Sequence, residues 1–314
     1  MERVSPTASA RRDPLARLGI HGLAAREAAY GYGIVGVVYL FLAAFVFGPM
    51  ILAFYVSLTR WDALSPIAQA HFVGLKNYVD LALDQRFRFA LWHDFEFAVK
   101  SYAGQIGLGL ILALIVNSIH RFRALARFIT FSPFILPIVA TSILFTIMMN
   151  PVWGTFNEFL RFFGVAPGQW LSDTSTAMNS VVLTIIWKYA GYYMILFITA
   201  LLGVPQEYYD AAHIDGAGPL QSFRYITWPT IRPAFLFISV INVIGNLQVF
   251  TPVFIMTGGG PDRATEVAVL LMYNTAFTDF RYSVANGMAV ILFFIILLLT
   301  VFQMRVLRQG DAET

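Results

Sequence analysis

Apolar residues gather into six long stretches along the chain, and short polar links separate them. The stretches run approximately from Gly31 to Val56, Phe97 to Ile119, Phe128 to Met149, Ala177 to Leu202, Ala234 to Met256, and Tyr282 to Met304. A helix needs about 20 mainly apolar residues to cross the hydrocarbon core of a bilayer. The pattern therefore predicts an all-α, polytopic membrane protein with about six transmembrane helices.

The fifth stretch is the least regular of the six, because Pro252 interrupts it and several polar residues lie within it. Non-helical backbone is tolerated at membrane depth only where protein or a water-filled path covers it. The irregularity therefore predicts that this helix lines a protein-enclosed or aqueous path.

The composition agrees with a membrane protein and argues against several kinds of catalytic and metal site. Hydrophobic residues make up 58% of the chain and charged residues only 12%, against about 25% charged in a typical soluble domain. There is no cysteine, and the five histidines have no metal-ligand spacing. We therefore predict no catalytic residue and no metal site, and the net charge of +3 gives no reason to expect a nucleic-acid partner.

The distribution of Lys and Arg predicts the orientation in the membrane. Twelve of these residues lie before the first span, after the last span, or in the second and fourth links, and seven lie on the other side. Positive charge favours the cytoplasmic side, so both termini, residues 1–30 and 305–314, are expected to be cytoplasmic tails. Residues 14–28 alternate apolar and basic side chains, a pattern that fits an interfacial helix and a disordered basic tail about equally.

The fourth link, approximately residues 204–233, has a helical pattern of its own and is named here the coupling loop. Pro205 suits the first turn of a helix, and Asp215-Gly216 predicts its end because glycine adopts the left-handed conformation cheaply. A second short helix is expected from about Pro219, ended by Pro229. Two short helices around a glycine turn could enter a cleft in a soluble partner; the alternative is a helical hairpin packed on its own membrane domain.

The coupling loop closely resembles the EAA loop of ABC importer permeases. That family has Glu-Ala-Ala, then a glycine, then a hydrophobic run with prolines. The matching positions here are Asp210, Ala211, Ala212, Asp215, Gly216, Ala217, Phe223, Ile226, Pro229 and Pro233. Asp210 stands where the family usually has Glu, which keeps the charge but shortens its reach by one methylene.

Other segments extend the resemblance to the carbohydrate branch of that family, the maltose and glycerol-3-phosphate type permeases. They are Phe72–Tyr78 after the first span, Trp187–Met194 on the fourth, and Leu247–Phe250 with Met256–Pro261 on the fifth. The resemblance implies that residues 31–304 form an ABC type I importer transmembrane domain in a bacterial inner membrane.

The resemblance also implies the partners. They are a second homologous permease, an ABC ATPase dimer, an extracytoplasmic solute-binding protein and a sugar. The sequence has no Gly-x-x-x-x-Gly-Lys-Ser/Thr loop, so ATP and magnesium are expected on the ATPase and no cofactor on this chain. The coupling loop would contact the ATPase.

Polar residues within the spans are the candidates for the substrate path, because they are costly in a membrane and usually functional. They are Asn242, Asn246 and Gln248 on the fifth span and Lys188 and Tyr192 on the fourth, with Phe250 as a ring for stacking on sugar. Amide groups suit sugar hydroxyls because both can donate and accept hydrogen bonds. The alternative is that the amides only join packed helices.

Lys188 leaves three interpretations open: contact with substrate, a pair with an acid on the second permease, or snorkelling to the interface. We expect the second, because this chain has no acid at a similar depth. Outside the membrane, the segment from Arg60 to Glu96 is a candidate docking surface for the binding protein, although Trp61 and Trp92 could equally anchor helix ends.

Two other functions stay open at this point. A glycerol-3-phosphate or related phosphate-ester importer would need several cations in the path, and only Lys188 is obvious. An ion-coupled secondary transporter is the more distant alternative, because inverted repeats typical of that class are not evident.

Overall fold

The computed structural model describes residues 23–61, 65–119 and 121–308. Contacts divide the chain into two compact units, Met1–Tyr55 and Val56–Thr314. Helix α1 (Leu23–Leu42) of the first unit continues through a π-helical turn, Ala43–Phe47, into α2 (Gly48–Ser57), whose last two residues belong to the second unit. Residues 14–22 of the predicted interfacial segment lie outside the described residues, and α1 begins eight residues before the predicted start of the first span.

The second unit is mostly helical, with a small β-hairpin of β1 (Thr59–Arg60) and β2 (His71–Phe72). Its helices are α3 (Lys76–Leu83), α4 (Gln85–Ser118), α5 (Arg123–Ile135), α6 (Ile138–Met148), α7 (Thr155–Phe162), α8 (Ala177–Leu202), α9 (Gln206–Ile214), α10 (Pro219–Ser222), α11 (Trp228–Leu247), α12 (Thr251–Met256), α13 (Ala268–Tyr273) and α14 (Tyr282–Arg308).

The predicted class and number of spans are confirmed. Among the described residues, five helices are long and apolar enough to cross a membrane, and a bent pair makes a sixth span. The fourth span matches its predicted bounds, Ala177–Leu202, and the sixth begins at Tyr282 as predicted. The last helix continues to Arg308, into the segment predicted as the C-terminal tail.

Helix α4 begins twelve residues earlier than the second predicted span. Asp84 caps it, since its Oδ1 accepts a hydrogen bond from the Phe87 amide at 3.0 Å. A helix of 34 residues is about 51 Å long, well over the thickness of the hydrocarbon core. The first turns of α4 therefore extend beyond the membrane, so part of the predicted external segment is helical.

The third predicted span, residues 128–149, is wrong as one regular helix. It forms α5 and α6, which meet at an angle of 93°. Leu136 and Pro137 between them are extended rather than helical. A residue that precedes proline is disfavoured in the α conformation, so Pro137 ends the helix at the residue before it.

The fifth span is broken as predicted, but its start differs. From Pro219 the chain stays helical through a π-helical turn, Phe223–Thr227, and into α11, so the prediction that Pro229 ends a short helix is wrong. The wide turn ends two residues before Pro229, and it relieves the clash that a proline ring meets in a regular α-helix. The break comes later, at Gln248–Phe250, just before Pro252.

Helix α13 and a π-helical turn, Asn274–Thr278, follow α12 without forming a span, because the two together are only eleven residues long. The outer part of α4 holds this segment in place. Arg86 makes two hydrogen bonds to Glu266, at 2.8 and 2.6 Å, and buried Asp94 accepts one from the Ala268 amide at 3.2 Å. These contacts fix this segment against α4.

The core of the second unit is the packing of α4 against α8. Phe97 from α4 and Val181, Met194 and Phe197 from α8 are fully buried there. Gly109 permits the close approach, since a Cβ at this position would lie 2.8 Å from the Cβ of Tyr193. This pair, with α11, forms the frame of the central cleft.

Candidate substrate path and coupling surface

A cleft of about 420 Å³ opens between α4, α8 and α11 and is named here the central cleft. The helix break before α12 forms one of its walls. The residues that line it are Phe97, Gln105, Phe134, Ile138, Ile185, Tyr189, Tyr192, Tyr193, Ile241, Asn242, Gly245, Asn246, Gln248, Val249, Phe250, Thr251 and Pro252. Five of the six predicted path residues therefore lie on one cleft, and Lys188 does not line it.

Three amide side chains form a buried network at the base of the central cleft. The Asn242 Nδ2 donates to Gln105 Oε1 at 2.5 Å, and the Asn246 Nδ2 donates to Asn242 Oδ1 at 2.6 Å and to the same Gln105 oxygen at 3.3 Å. All three residues are buried. The predicted alternative, amides that join packed helices, is thus realised between α4 and α11, and the same amides also line the cleft.

Gln105 is a residue that sequence reasoning missed. It lies in the second predicted span and is the acceptor that joins Asn242 and Asn246 across two helices. The sequence could have identified Gln105, because an amide side chain within a membrane span is as costly in α4 as in α11.

Aromatic rings also line the central cleft. Tyr192 stacks on Phe134 with ring centroids 4.6 Å apart, and Tyr193 meets Tyr192 edge-on at 5.1 Å. Phe134 reaches this position because α5 ends at the bend. Rings and amides on one cleft can stack on the face of a sugar and hydrogen-bond its hydroxyls.

Lys188 has a contact that the sequence did not predict. Its ammonium group donates hydrogen bonds to the carbonyl oxygens of Pro133 and Phe134, at 3.3 Å each, and to that of Leu136. Carbonyls at the end of a helix have no intrahelical partners, and the bend ends α5 at this point. In the described part of the chain no carboxylate lies within 4 Å of this ammonium. The expected pair with an acid on the second permease stays a prediction, because that acid would belong to another chain.

The segment Trp187–Met194 of α8 packs against both halves of the bent span, α5 and α6. Gly191 lets the backbone of α5 approach, since a Cβ there would lie 1.9 Å from the Thr130 carbonyl oxygen. The Thr130 hydroxyl donates to the Met194 sulfur at 3.2 Å, and Trp187 packs on Phe145 of α6. The motif that carried the resemblance on α8 thus has a physical role, which is to hold α5 and α6 at their angle.

Replacing Asn242 tests whether the amide network contributes to stability. Asn242→Leu leaves buried polar groups of Gln105 and Asn246 short of partners, so we expect the free energy of unfolding to fall by about 1–3 kcal/mol. Thermal unfolding of the purified protein in detergent measures this. Gln248→Leu is the control, because Gln248 is exposed on the same cleft. Equal unfolding temperatures for the two variants would contradict a structural network.

The coupling loop begins with the predicted helix, α9. Gly216 ends it with φ +76°, and the amides of Gly216 and Ala217 donate to the carbonyls of His213 and Ala212 at 3.2 and 2.9 Å. This pair of bonds is the Schellman arrangement, in which glycine takes the left-handed position. The Tyr209 hydroxyl joins α9 to the following π-turn through Thr227 at 2.8 Å.

Three apolar side chains of the coupling loop are exposed. Ile214 is 86% exposed, Leu220 79% and Tyr208 55%. Asp210 is exposed and accepts a hydrogen bond from Gln206 at 3.1 Å, and Asp215 is exposed at the turn. A cleft of about 1240 Å³ runs between this loop and the end of α4. Of the remaining predicted residues, Phe223 is half-buried beside this cleft, and Pro229 lies outside it and is exposed.

Two polar clefts that meet at Asp84 lie in the segments that the sequence predicts to be external. One, of about 560 Å³, is lined by Arg60, Trp61 and Asp80 among others, and the second, of about 580 Å³, by Arg86 and Arg263 among others. Both include residues of the predicted docking segment. No cluster of His, Asp or Glu suited to a metal ion occurs in the part of the chain that the structure describes.

Comparisons with known proteins connect this geometry to a family. The sequence profile described as "Binding-protein-dependent transport system inner membrane component" matches residues 105–309. A probable ABC transporter permease protein, YurN of Bacillus subtilis, is 34% identical over 86% of this chain and 93% of its own length. The trehalose/maltose transport system permease protein MalF of Thermococcus litoralis is 30% identical over 90% and 94%.

A third relative and one solved structure complete the comparison. The sn-glycerol-3-phosphate transport system permease protein UgpA of Agrobacterium fabrum is 31% identical over 83% of this chain and 88% of its own. A chain from the crystal structure of a bacterial ABC transporter for the acidic polysaccharide alginate matches with a TM-score of 0.80, at 20% identity, over 90% of this chain and 96% of its own. This likeness shows that the fold is that of an importer transmembrane domain.

Proposed function

Because this chain belongs to the family of inner membrane components of binding-protein-dependent transport systems, we propose that it forms half of the translocation path of an ATP-driven importer for neutral sugars. The chain is a membrane component of a transport system rather than an enzyme. In this proposal a second homologous permease supplies the other half of the path. An ABC ATPase dimer binds ATP and magnesium, and a solute-binding protein delivers the sugar from outside.

The observation that carries the proposal is the chemistry of the central cleft. It combines three amides, Gln105, Asn242 and Asn246, with the rings of Tyr192 and Phe250, and neither Lys nor Arg lines it in the described chain. Amides and rings suit uncharged hydroxyl-rich molecules, whereas a phosphate dianion favours Arg and Lys. The named substrate of the Thermococcus litoralis relative, trehalose or maltose, supports the same class.

The coupling loop supports a separate ATPase as the source of energy. Its exposed side chains Ile214 and Leu220 form an apolar surface next to the carboxylates of Asp210 and Asp215. Such a surface suits insertion into a groove of a partner. Since a binding-protein-dependent system has no use for ion coupling in this chain, the secondary-transporter alternative is set aside.

The orientation follows from the same assignment. A coupling loop that contacts an ATPase must face the cytoplasm, so the termini face the cytoplasm as well, in agreement with the Lys and Arg distribution. The outer clefts at Asp84 would then face the binding protein, with Arg60, Asp80 and Arg86 offering both signs of charge to it.

Uptake and ATP hydrolysis together test the proposal. In liposomes that hold this chain with its second permease and ATPase, we expect neutral disaccharides such as maltose or trehalose to stimulate ATP hydrolysis only when the binding protein is present. Glycerol-3-phosphate is the comparison, because a relative carries that name. Stimulation by glycerol-3-phosphate alone would favour the phosphate-ester alternative, and uptake without ATP would contradict an ATP-driven importer.

A further inference from the structure

A continuous row of aromatic rings leads from the central cleft towards the outer surface, and it is named here the aromatic track. Phe250 stacks on Phe254 with centroids 5.2 Å apart, and both meet Tyr273, at 5.3 and 5.5 Å. Tyr273 meets Phe277 at 5.2 Å, and Phe277 meets Tyr282 at 6.0 Å. Each ring is therefore within contact distance of the next one.

Four of the five rings of the aromatic track line a shallow, open cleft. This second cleft, of about 440 Å³, is lined by Phe250, Tyr273, Phe277 and Tyr282 with the amide of Asn286. Phe250 lines the central cleft as well, so the two clefts share a wall. The Asn286 Nδ2 donates one hydrogen bond to the Tyr282 carbonyl at 2.8 Å. An amide has a second N–H and an oxygen, and these can bind water or a polar solute in the cleft.

The outer end of the aromatic track reaches the polar outer cleft that contains Arg60. Trp61, which lines that cleft, lies 6.0 Å from Tyr282, and its amide donates to the Ser283 hydroxyl at 2.8 Å. Phe254 lies on α12 and Tyr273 on α13. Each of these short helices adjoins a segment that is not α-helical: the break before α12 and the π-turn after α13. Such departures from the α-helix are frequent at functional sites.

We propose that sugars pass along the aromatic track between the outer cleft and the central cleft, stacking their apolar faces on successive rings. This inference rests on the proposed function and adds a second part to its substrate path. Ring faces bind the C–H faces of a sugar without fixing its hydroxyls. The sugar keeps its water on the other side until the amides of Asn242 and Asn246 replace it.

Single cysteines test whether water and sugar reach the aromatic track, because the chain has no native cysteine. Tyr273→Cys and Phe277→Cys are compared in right-side-out vesicles that hold the complete transporter. We expect a membrane-impermeant maleimide to label both, and to label them more slowly with the transported sugar than with a sugar that is not taken up. Glu158→Cys, in an exposed outer helix, and Leu271→Cys, buried beside Tyr273, are the positive and negative controls.

Uptake measurements supply the second readout. Loss of one ring should lower the uptake rate by about threefold to tenfold in Tyr273→Ala or Phe277→Ala, while Tyr273→Phe keeps the ring and should transport normally. Three labelling results would overturn the track: labelling only by a lipid-soluble maleimide, no labelling at all, or labelling that the transported sugar does not slow. Full uptake by Tyr273→Ala would overturn it as well. If the wild-type transporter takes up no sugar at all, the proposed function itself fails.

Discussion

Replacing Lys188 with Met should destabilise the protein by about 2–5 kcal/mol and abolish uptake. Methionine keeps the length of the side chain but removes every donor, so the carbonyls of Pro133, Phe134 and Leu136 lose their shared partner. Phe134 is also the ring that stacks on Tyr192 in the central cleft. Relaxation of the bend therefore alters the cleft directly. Thermal unfolding in detergent and uptake in liposomes measure the two effects.

Lys100→Met is the matched control, because Lys100 also lies on a spanning helix but is 40% exposed and pairs with Glu96. An exposed pair of this kind contributes about 0–1 kcal/mol. Lys188→Arg keeps the positive charge and several donors, and should recover part of the stability that Met loses. If Lys188→Met unfolds at the same temperature as Lys100→Met and still transports, the bend does not depend on the ammonium.

The contact of Lys188 illustrates what the sequence could not predict. The sequence correctly marked a lysine at depth as unusual, but its acceptors lie more than 50 residues away. They become acceptors only because α5 ends at the bend. Pro137 is visible in the sequence, and the restriction on the residue before a proline would have predicted the break there, although Pro133 lies inside α5 without ending it. The angle of 93° depends on packing against α8 and has no local signal.

The spans themselves were predictable because hydrophobic length is a local property. The fourth span agreed to the residue, while α4 began early because a cap at Asp84 starts a helix whether or not its first turns are apolar. Helix α13 with its π-turn escaped prediction, since eleven residues are too short for the length criterion. The aromatic track depends on this segment, and it therefore could not be found from the sequence.

The candidate path was largely predictable because polar residues in apolar stretches are rare. Asn242 and Asn246 were identified by their spacing on one helix face, and they do lie together. Gln105 was missed because its role depends on contact between α4 and α11, which are far apart in sequence. Whether these residues bind sugar stays a prediction until uptake is measured.

Replacing Gly216 with Val should uncouple transport. Gly216 has φ +76°, which costs a side-chain-bearing residue about 1–2 kcal/mol and is least tolerated by a β-branched one. No atom lies within 4 Å of a Cβ built there, so the effect comes from the backbone and not from a clash. Escape from this strain breaks the bonds from Gly216 and Ala217 to the end of α9 and therefore changes the position of the exposed Ile214.

A backbone strain of about 1–2 kcal/mol corresponds to about tenfold weaker binding of the ATPase. We expect the uptake rate to fall as this binding weakens. Gly218→Ala is the matched control in the same turn. Gly218 has φ −76°, and an added Cβ would meet only the Gln221 Oε1, at 3.9 Å. We expect this variant to co-purify with the ATPase and to transport normally. If Gly216→Val transports like the wild type and still co-purifies with the ATPase, the coupling role is contradicted. Binding of the ATPase would then not depend on the turn at Gly216.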